Sequence, residues 1–228
     1  MSNFWERYWF TISSISLSLL ILFAITKSFL LIRRYPERKY TKVILLFFIL
    51  TFTQLLIGIL QDYLSDHDNK LKGRDNITNI AGYIYLFLEY AIYIYLLHKF
   101  IKSPSIKIYL KISPAIILPL GIFLWFSQIN LIHAISIFTI TEALLLLFPC
   151  FYFFYEILNH PPVLQLSKEP SFWIITGITF LFICLIPVYL GLIIIGVIQP
   201  IQTIDYIGYM IIIVLFLKGT SCRPVQTE

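Results

Sequence analysis

The stretch Leu131–Ile157, LIHAISIFTITEALLLLFPCFYFFYEI, decides the fold class of this 228-residue chain. Between His133 and Glu156 the only acidic or basic residue is Glu142. An α-helix rises about 1.5 Å per residue, so a run of this length exceeds the roughly 30 Å of a bilayer's hydrocarbon core. The run shows no sustained period-two alternation, which argues against the strands of a membrane barrel. The stretch therefore predicts an α-helix that spans a membrane.

Other apolar runs of similar length lie on both sides of this one, and most approach the about 20 residues that a span needs. The seven runs are Tyr8–Ile32, Val43–Gln61, Ile80–Ile101, Ile112–Phe126, Leu131–Ile157, Ser171–Ile195 and Thr203–Leu217. Pro114 and Pro119 lie early in the fourth run, where they predict a kink or a loop. We therefore predict an all-α, polytopic transmembrane helix bundle of about seven spans, in which residues 1–228 form a single integral membrane domain.

Composition supports the same class of protein. Hydrophobic residues make up 59% of the chain and charged residues 13%, whereas a soluble domain carries about 25% charged residues. A soluble helical protein with a large ligand cavity is the competing interpretation, and the length of the apolar runs argues against it. The formal net charge is +5, but the basic residues lie in short connections, where they suit topology and anionic lipid headgroups. The predicted partner is thus the lipid bilayer, and no nucleic acid is expected.

The distribution of lysine and arginine predicts the orientation of the bundle. The odd-numbered connections and the tail contain Arg33, Arg34, Arg38, Lys39, Lys42, Lys99, Lys102, Lys107, Lys111, Lys168, Lys218 and Arg223. The fourth and sixth connections, Ser127–Asn130 and Gly196–Gln202, contain neither residue type, and acids dilute the basic residues of the second, Asp62–Asn79. Because basic short loops stay on the cytoplasmic side, we predict an outside N-terminus and an inside C-terminus. The usage rich in Ile, Lys, Phe and Tyr indicates a bacterial cytoplasmic (inner) membrane.

Three polar side chains interrupt the apolar runs at similar predicted depth: Gln54, Glu89 and Glu142. An acid at the bilayer centre costs roughly 2.5–3.5 kcal/mol on insertion scales. Such a residue faces the bundle interior, where it marks a functional site or bonds neighbouring helices. Helical spacing also places a proline, Pro149, on the face of Glu142, where it frees a backbone carbonyl and can open a polar pocket.

Hydroxyl groups share the helix faces of the two acids. Tyr85 and Tyr93 lie on the face of Glu89, and Thr139 lies on the face of Glu142, as i, i+3 and i+4 spacing requires. One interpretation is a polar midplane site, comprising these five residues and Gln54, that binds a ligand, carries a proton or performs acid–base chemistry. The other is that the acids only bond neighbouring helices together.

The second connection offers a weaker candidate for a metal site. Asp62, Asp66, His67 and Asp68 carry side chains that can ligate a divalent ion, and His133 and Asp205 are expected on the same side of the membrane. Their spacing matches no metal motif, so a solvated acidic loop is the favoured interpretation and no metal site is predicted. No HExxH, GxSxG or Walker motif occurs. The chain is thus predicted to have no catalytic residues and no cofactor.

Two short segments carry a resemblance. FLEY at Phe87–Tyr90 and PSFWIITG at Pro170–Gly177, together with the predicted topology, resemble the uncharacterised small seven-helix membrane proteins of bacteria, including the membrane-sensor halves of signalling proteins. The resemblance implies no substrate and transfers no catalytic residue.

The sequence leaves three functions open. The first is a ligand-binding, sensing or accessory subunit that works through a membrane-protein partner or as a homo-oligomer. The second is a small proton-coupled transporter, to which a weak parallel repeat around Glu89 and Glu142 would be suited. The third is a membrane-embedded lipid enzyme, for which no nucleophile or metal set is visible.

Overall fold

A computed structural model describes residues 2–65, 77–127, 129–159, 166–195 and 199–222, and the side chains of residues 11–60, 80–127, 129–159, 166–194 and 204–222. The described part of the chain is helical. Its α-helices are α1 Ser2–Arg34, α2 Lys39–Ser65, α3 Ile77–Phe100, α4 Pro104–Ile112, α5 Pro114–Phe126, α6 Leu131–Asn159, α7 Pro170–Ile195 and α8 Gln199–Ser221. A short 3₁₀ helix, Leu166–Lys168, precedes α7.

Seven segments within the described residues are long and apolar enough to cross a membrane. They are Thr11–Arg34, Lys39–Leu60, Ile80–Phe100, Pro104–Phe126, Leu131–Asn159, Pro170–Ile194 and Ile204–Ser221. Large apolar side chains are exposed along their outer faces; Phe126 and Leu158, for example, are each 81% exposed. A water-soluble body would bury such side chains, whereas lipid solvates them. The predicted helical, multi-pass membrane architecture is confirmed.

The fourth span differs from the prediction in its beginning. The predicted run starts at Ile112, but the helical segment starts eight residues earlier at Pro104 and is divided at Ser113 into α4 and α5. Pro114 has no N–H to donate to the Leu110 carbonyl, which would be its helical partner. The Ser113 hydroxyl donates to that carbonyl instead, at 3.1 Å. The proline thus divides the span, while a neighbouring side chain satisfies the exposed acceptor.

The helices form a closed ring, and α3 is the member of the ring that also packs against helices across it. Along the ring, α1 contacts α2, α2 contacts α3, α6 contacts α7, α7 contacts α8, and α8 returns to α1. The α4–α5 pair fills the side between α3 and α6. Because α3 also contacts α6 and α7, its side chains reach the centre of the bundle. A polar group on α3 can therefore meet groups from several other helices.

Small residues permit the close packing of α7 against α8. A Cβ atom at Gly177 of α7 would lie 3.3 Å from side-chain atoms of Ile212 and Leu215. A Cβ atom at Gly219 of α8 would lie 2.8 Å from Ile174 and 3.1 Å from the Pro170 carbonyl oxygen. In lipid, helices associate by such close packing rather than by a hydrophobic driving force. These glycines fix the position of α8 beside the bundle core.

Lysine- and arginine-rich connections lie at one end of the bundle, which we name the basic end; the other is the opposite end. At the basic end, the Arg38 guanidinium donates to the backbone carbonyls of Thr220 and Cys222, at 3.3 and 3.0 Å. The last carbonyls of a helix lack partners within the helix, so Arg38 caps α8. The Cys222 thiol donates to the Ser167 carbonyl at 3.6 Å. Burial raises the pKa of this thiol, whereas Lys218 and Arg38 act to lower it.

Candidate functional site

Glu89 is held near the middle of its span by two tyrosine hydroxyls from different helices. Its side chain is only 4% exposed. The hydroxyl of Tyr93, one turn further along α3, donates to Oε1 at 2.6 Å. The hydroxyl of Tyr209 on α8 lies 3.1 Å from Oε1 and 3.2 Å from Oε2. Both carboxyl oxygens therefore accept a hydrogen bond, and the bonds join α3 to α8.

Tyr85 extends this polar group towards α2. Its hydroxyl lies 3.3 Å from the Thr51 hydroxyl, and its side chain interacts with Tyr209 and Glu89. One turn nearer the opposite end, the Gln54 amide nitrogen lies 3.5 Å from the position of a Cβ atom at Gly82. The sequence-predicted residues of α2 and α3 are thus brought together on facing sides of these two helices.

Glu142 on α6 lies in the same region but has a different environment. It is 2% exposed and close enough to Glu89 for the two carboxyl groups to interact electrostatically. Its Oε1 atom is buried without a hydrogen-bond partner, and so is the hydroxyl of Thr139, three residues earlier. Other hydroxyls of α6 are paired: Ser136 donates to Ile132 and Thr141 donates to Ile137. The unpaired groups on α6 therefore lie on the predicted functional face.

From the position of Pro149 on the Glu142 face we predicted a polar pocket at the carbonyl that it frees. In the structure a side chain from another helix bonds that carbonyl instead. The proline leaves the Leu145 carbonyl without its helical donor. The hydroxyl of Tyr109 on α4 donates to that carbonyl at 2.9 Å. The carbonyl that the proline frees thus binds α4 to α6.

Four residues of the site were not assigned to it by the sequence analysis: Thr51 and Tyr209, described above, and Asp205 and Tyr189. Asp205, in the first turn of the last span, interacts with Tyr189 of α7 and, electrostatically, with Glu89. Its Oδ1 atom is buried without a hydrogen-bond partner. Asp205 and Tyr209 are four residues apart and share a helix face, so the spacing could have placed the aspartate only if Tyr209 had been assigned to the site first. No comparable signal marked Tyr189, because its position depends on the packing of α7.

We name these residues the acid–tyrosine cluster. Its members are Thr51, Tyr85, Glu89, Tyr93, Thr139, Glu142, Tyr189, Asp205 and Tyr209. Among the described residues, no lysine, arginine or histidine acts on any of its three carboxyl groups. The cluster is therefore acidic and rich in hydroxyl groups, without a basic residue to balance it.

Towards the basic end, an aromatic layer closes the cluster. The Tyr93 ring contacts Phe47 at a centroid distance of 5.8 Å and Phe182 at 5.4 Å, and Phe47 contacts Phe216 at 5.3 Å. All four side chains are buried. Towards the opposite end the packing is looser, since no atom lies within 4 Å of a Cβ position at Gly58, one turn beyond Gln54. The described residues thus leave the position beside Gly58 unfilled on the side of the opposite end.

The structure does not test the weak metal candidates of the second connection. Asp66, His67 and Asp68 lie outside the described residues, as does the side chain of Asp62. Among the residues that are described, no group of three or more His, Cys, Asp or Glu side chains can hold a metal ion.

The fold and the cluster together define a polytopic α-helical integral membrane protein with a buried polar centre. Comparisons of the chain with protein-family models, with curated proteins and with solved structures find no match. The resemblance to small bacterial seven-helix proteins therefore stays a prediction.

Proposed function

We propose that the protein binds a small ligand in the acid–tyrosine cluster and serves as a binding, sensing or accessory subunit of a bacterial cytoplasmic membrane. The observation that carries this proposal is the buried Oε1 atom of Glu142, which has no hydrogen-bond partner. A carboxyl group that only joined helices would be bonded to one of them, as Glu89 is. An unpaired acceptor beside a second carboxyl is the arrangement expected of a site that a ligand completes.

The orientation assigned to the bundle supports entry from outside. Because basic connections remain in the cytoplasm, the basic end is the inside and the opposite end the outside. Asp205 and the space beside Gly58 then lie in the outer half, and the aromatic layer around Tyr93 separates the cluster from the inside. A ligand would reach the cluster from the outside without crossing the bundle.

Mass spectrometry of the purified protein tests this proposal even though the ligand is unidentified. We expect a small molecule to co-purify with the wild-type protein and to be lost from Glu142→Gln, which retains the size of the side chain but not its charge. The matched control is Glu37→Gln, which should retain the molecule because Glu37 is exposed in the connection between α1 and α2 at the basic end, away from the cluster. Identical sets of small molecules in all three proteins would contradict the proposal.

A proton-coupled transporter is a second candidate, and a cavity at the basic end favours it. The cavity has a volume of about 280 Å³, and its walls include Phe100 of α3, Glu156 of α6 and Phe172 of α7. These three helices also contribute to the acid–tyrosine cluster. Between the two regions lie fully buried apolar side chains, among them Leu96 and Leu146. Two polar regions on one set of helices, with an apolar layer between them, suit alternating access.

Reconstituted vesicles test the transport candidate. The small molecule that co-purifies with the protein should enter wild-type vesicles under a pH gradient and enter Glu142→Gln vesicles at no more than the rate of empty vesicles. Equal uptake with and without the gradient would exclude proton coupling.

A further inference from the structure

The charge of the acid–tyrosine cluster restricts the chemistry of its ligand. Glu89, Glu142 and Asp205 interact with one another or with the same tyrosines, and within the described residues no basic group compensates them. An uncompensated carboxylate in a low-dielectric interior is strongly unfavourable. A buried carboxyl without a positive partner takes its neutral form instead. An anionic ligand would therefore find no opposite charge here, whereas a cation would allow a carboxyl group to ionise and pair with it. The balance of charge therefore selects a cation.

The free hydrogen-bonding capacity points to a ligand with N–H donors. The two oxygens of Glu89 already accept bonds from tyrosine hydroxyls. Glu142 Oε1 and Asp205 Oδ1 are buried acceptors without a donor, and the unpaired Thr139 hydroxyl can also accept a hydrogen bond. An alkylammonium group carries three N–H donors and one positive charge, so it can satisfy acceptors that the protein leaves unpaired.

An inorganic divalent ion fits the cluster less well. Calcium takes six to eight oxygen ligands and magnesium requires near-octahedral geometry. The described residues contain no group of three or more His, Cys, Asp or Glu side chains able to hold a metal ion. Tyrosine rings, in contrast, attract organic cations through their π faces, and Tyr85, Tyr93, Tyr189 and Tyr209 all belong to the cluster.

We infer that the acid–tyrosine cluster binds a small organic cation with a primary ammonium group, which completes the hydrogen bonding of Glu142 and Asp205. This inference rests on the proposed ligand-binding function and adds the chemical class of the ligand.

Three probes of matched length but different charge test the inference: butylammonium, butyrate and butanamide. The melting temperature of the detergent-purified protein is measured with each probe at constant ionic strength. We expect a saturable rise in melting temperature with butylammonium and no rise with butyrate or butanamide. The rise should be lost in Glu142→Gln and retained in Glu37→Gln, whose exposed side chain lies in the connection between α1 and α2. If Glu142→Gln does not fold, Asp205→Asn takes its place with the same expected loss.

Every other outcome overturns the inference. A rise with butyrate or butanamide that depends on Glu142 would show a ligand site of a different class. A butylammonium effect of equal size in both variants would show that the amine acts elsewhere, and no rise with any probe would exclude the ammonium class. The ligand-binding proposal is decided separately, because loss of a co-purified molecule from Glu142→Gln does not depend on these probes.

Discussion

Glu89 on α3 and Glu142 on α6 are two buried carboxyl groups that differ in their hydrogen bonding. Their exposed fractions, 4% and 2%, are nearly equal. Glu89 accepts bonds from two tyrosine hydroxyls, one of them on α8, whereas Oε1 of Glu142 has no partner. A hydrogen bond between helices, one of the two explanations for a mid-membrane acid, thus accounts for Glu89 but not for Oε1 of Glu142. Glu89 bonds helices together, and Glu142 offers an acceptor that the protein does not use.

The largest expected difference is between the leucine variants of these two acids. Glu89→Leu leaves the hydroxyls of Tyr93 and Tyr209 without their acceptor. At about 1 kcal/mol for each lost bond, the free energy of unfolding should fall by about 2 kcal/mol. Glu142→Leu removes an unpaired polar atom and nearly conserves volume, so its effect should stay within about 0.5 kcal/mol or be stabilising. Reversible unfolding in mixed micelles measures both values.

Equal losses in the two leucine variants would contradict the comparison. Glu142 would then have a structural partner in the membrane, and its role would be the same as that of Glu89. A larger loss for Glu142→Leu would reverse the assignment of the two acids altogether.

A smaller effect should separate the two hydrogen bonds of Glu89. Tyr209→Phe removes the bond that joins α8 to α3 and keeps the ring, so we expect a loss of about 1 kcal/mol. Tyr155→Phe is the matched control, because the Tyr155 ring is 64% exposed on the outer surface and its variant should be neutral. A double-mutant cycle with Glu89→Leu measures the coupling directly. Additive losses would mean that Tyr209 and Glu89 do not stabilise one another.

Much of this architecture was predictable from the sequence, because membrane spans follow from length and hydrophobicity. Predicted and observed bounds agree closely for the fifth span, Leu131–Ile157 against Leu131–Asn159. The fourth span was predicted less well, because its first part contains Lys107 and Lys111 and its proline divides it. An amphipathic segment of this kind does not register as an uninterrupted apolar run.

The candidate site was only half predictable, for a geometric reason. Sequence gives the depth of a residue and the helix face it lies on, so Glu89, Tyr85, Tyr93, Glu142, Thr139 and Gln54 could be proposed. It does not give the rotation of each helix or its lateral neighbours. Tyr189 and Asp205 join the cluster through the packing of α7 and α8, which depends on close contacts such as that of Gly219 with Ile174. Depth alone places Asp205 at the membrane surface rather than in the cluster.

The smallest expected change in the free energy of unfolding is that of Thr139→Val. This variant applies the comparison between paired and unpaired groups to a hydroxyl. The Thr139 hydroxyl is buried without a partner, so its removal should change the free energy of unfolding by no more than about 0.5 kcal/mol. Thr179→Val is the matched control on α7, where the buried hydroxyl donates to the Ile175 carbonyl at 2.8 Å. That variant should lose about 0.5–1 kcal/mol. If Thr139 serves the ligand together with Glu142, Thr139→Val will weaken the butylammonium response, whereas Thr179→Val will leave it unchanged. A stability loss in Thr139→Val larger than that in Thr179→Val would show instead that this face of α6 is structural.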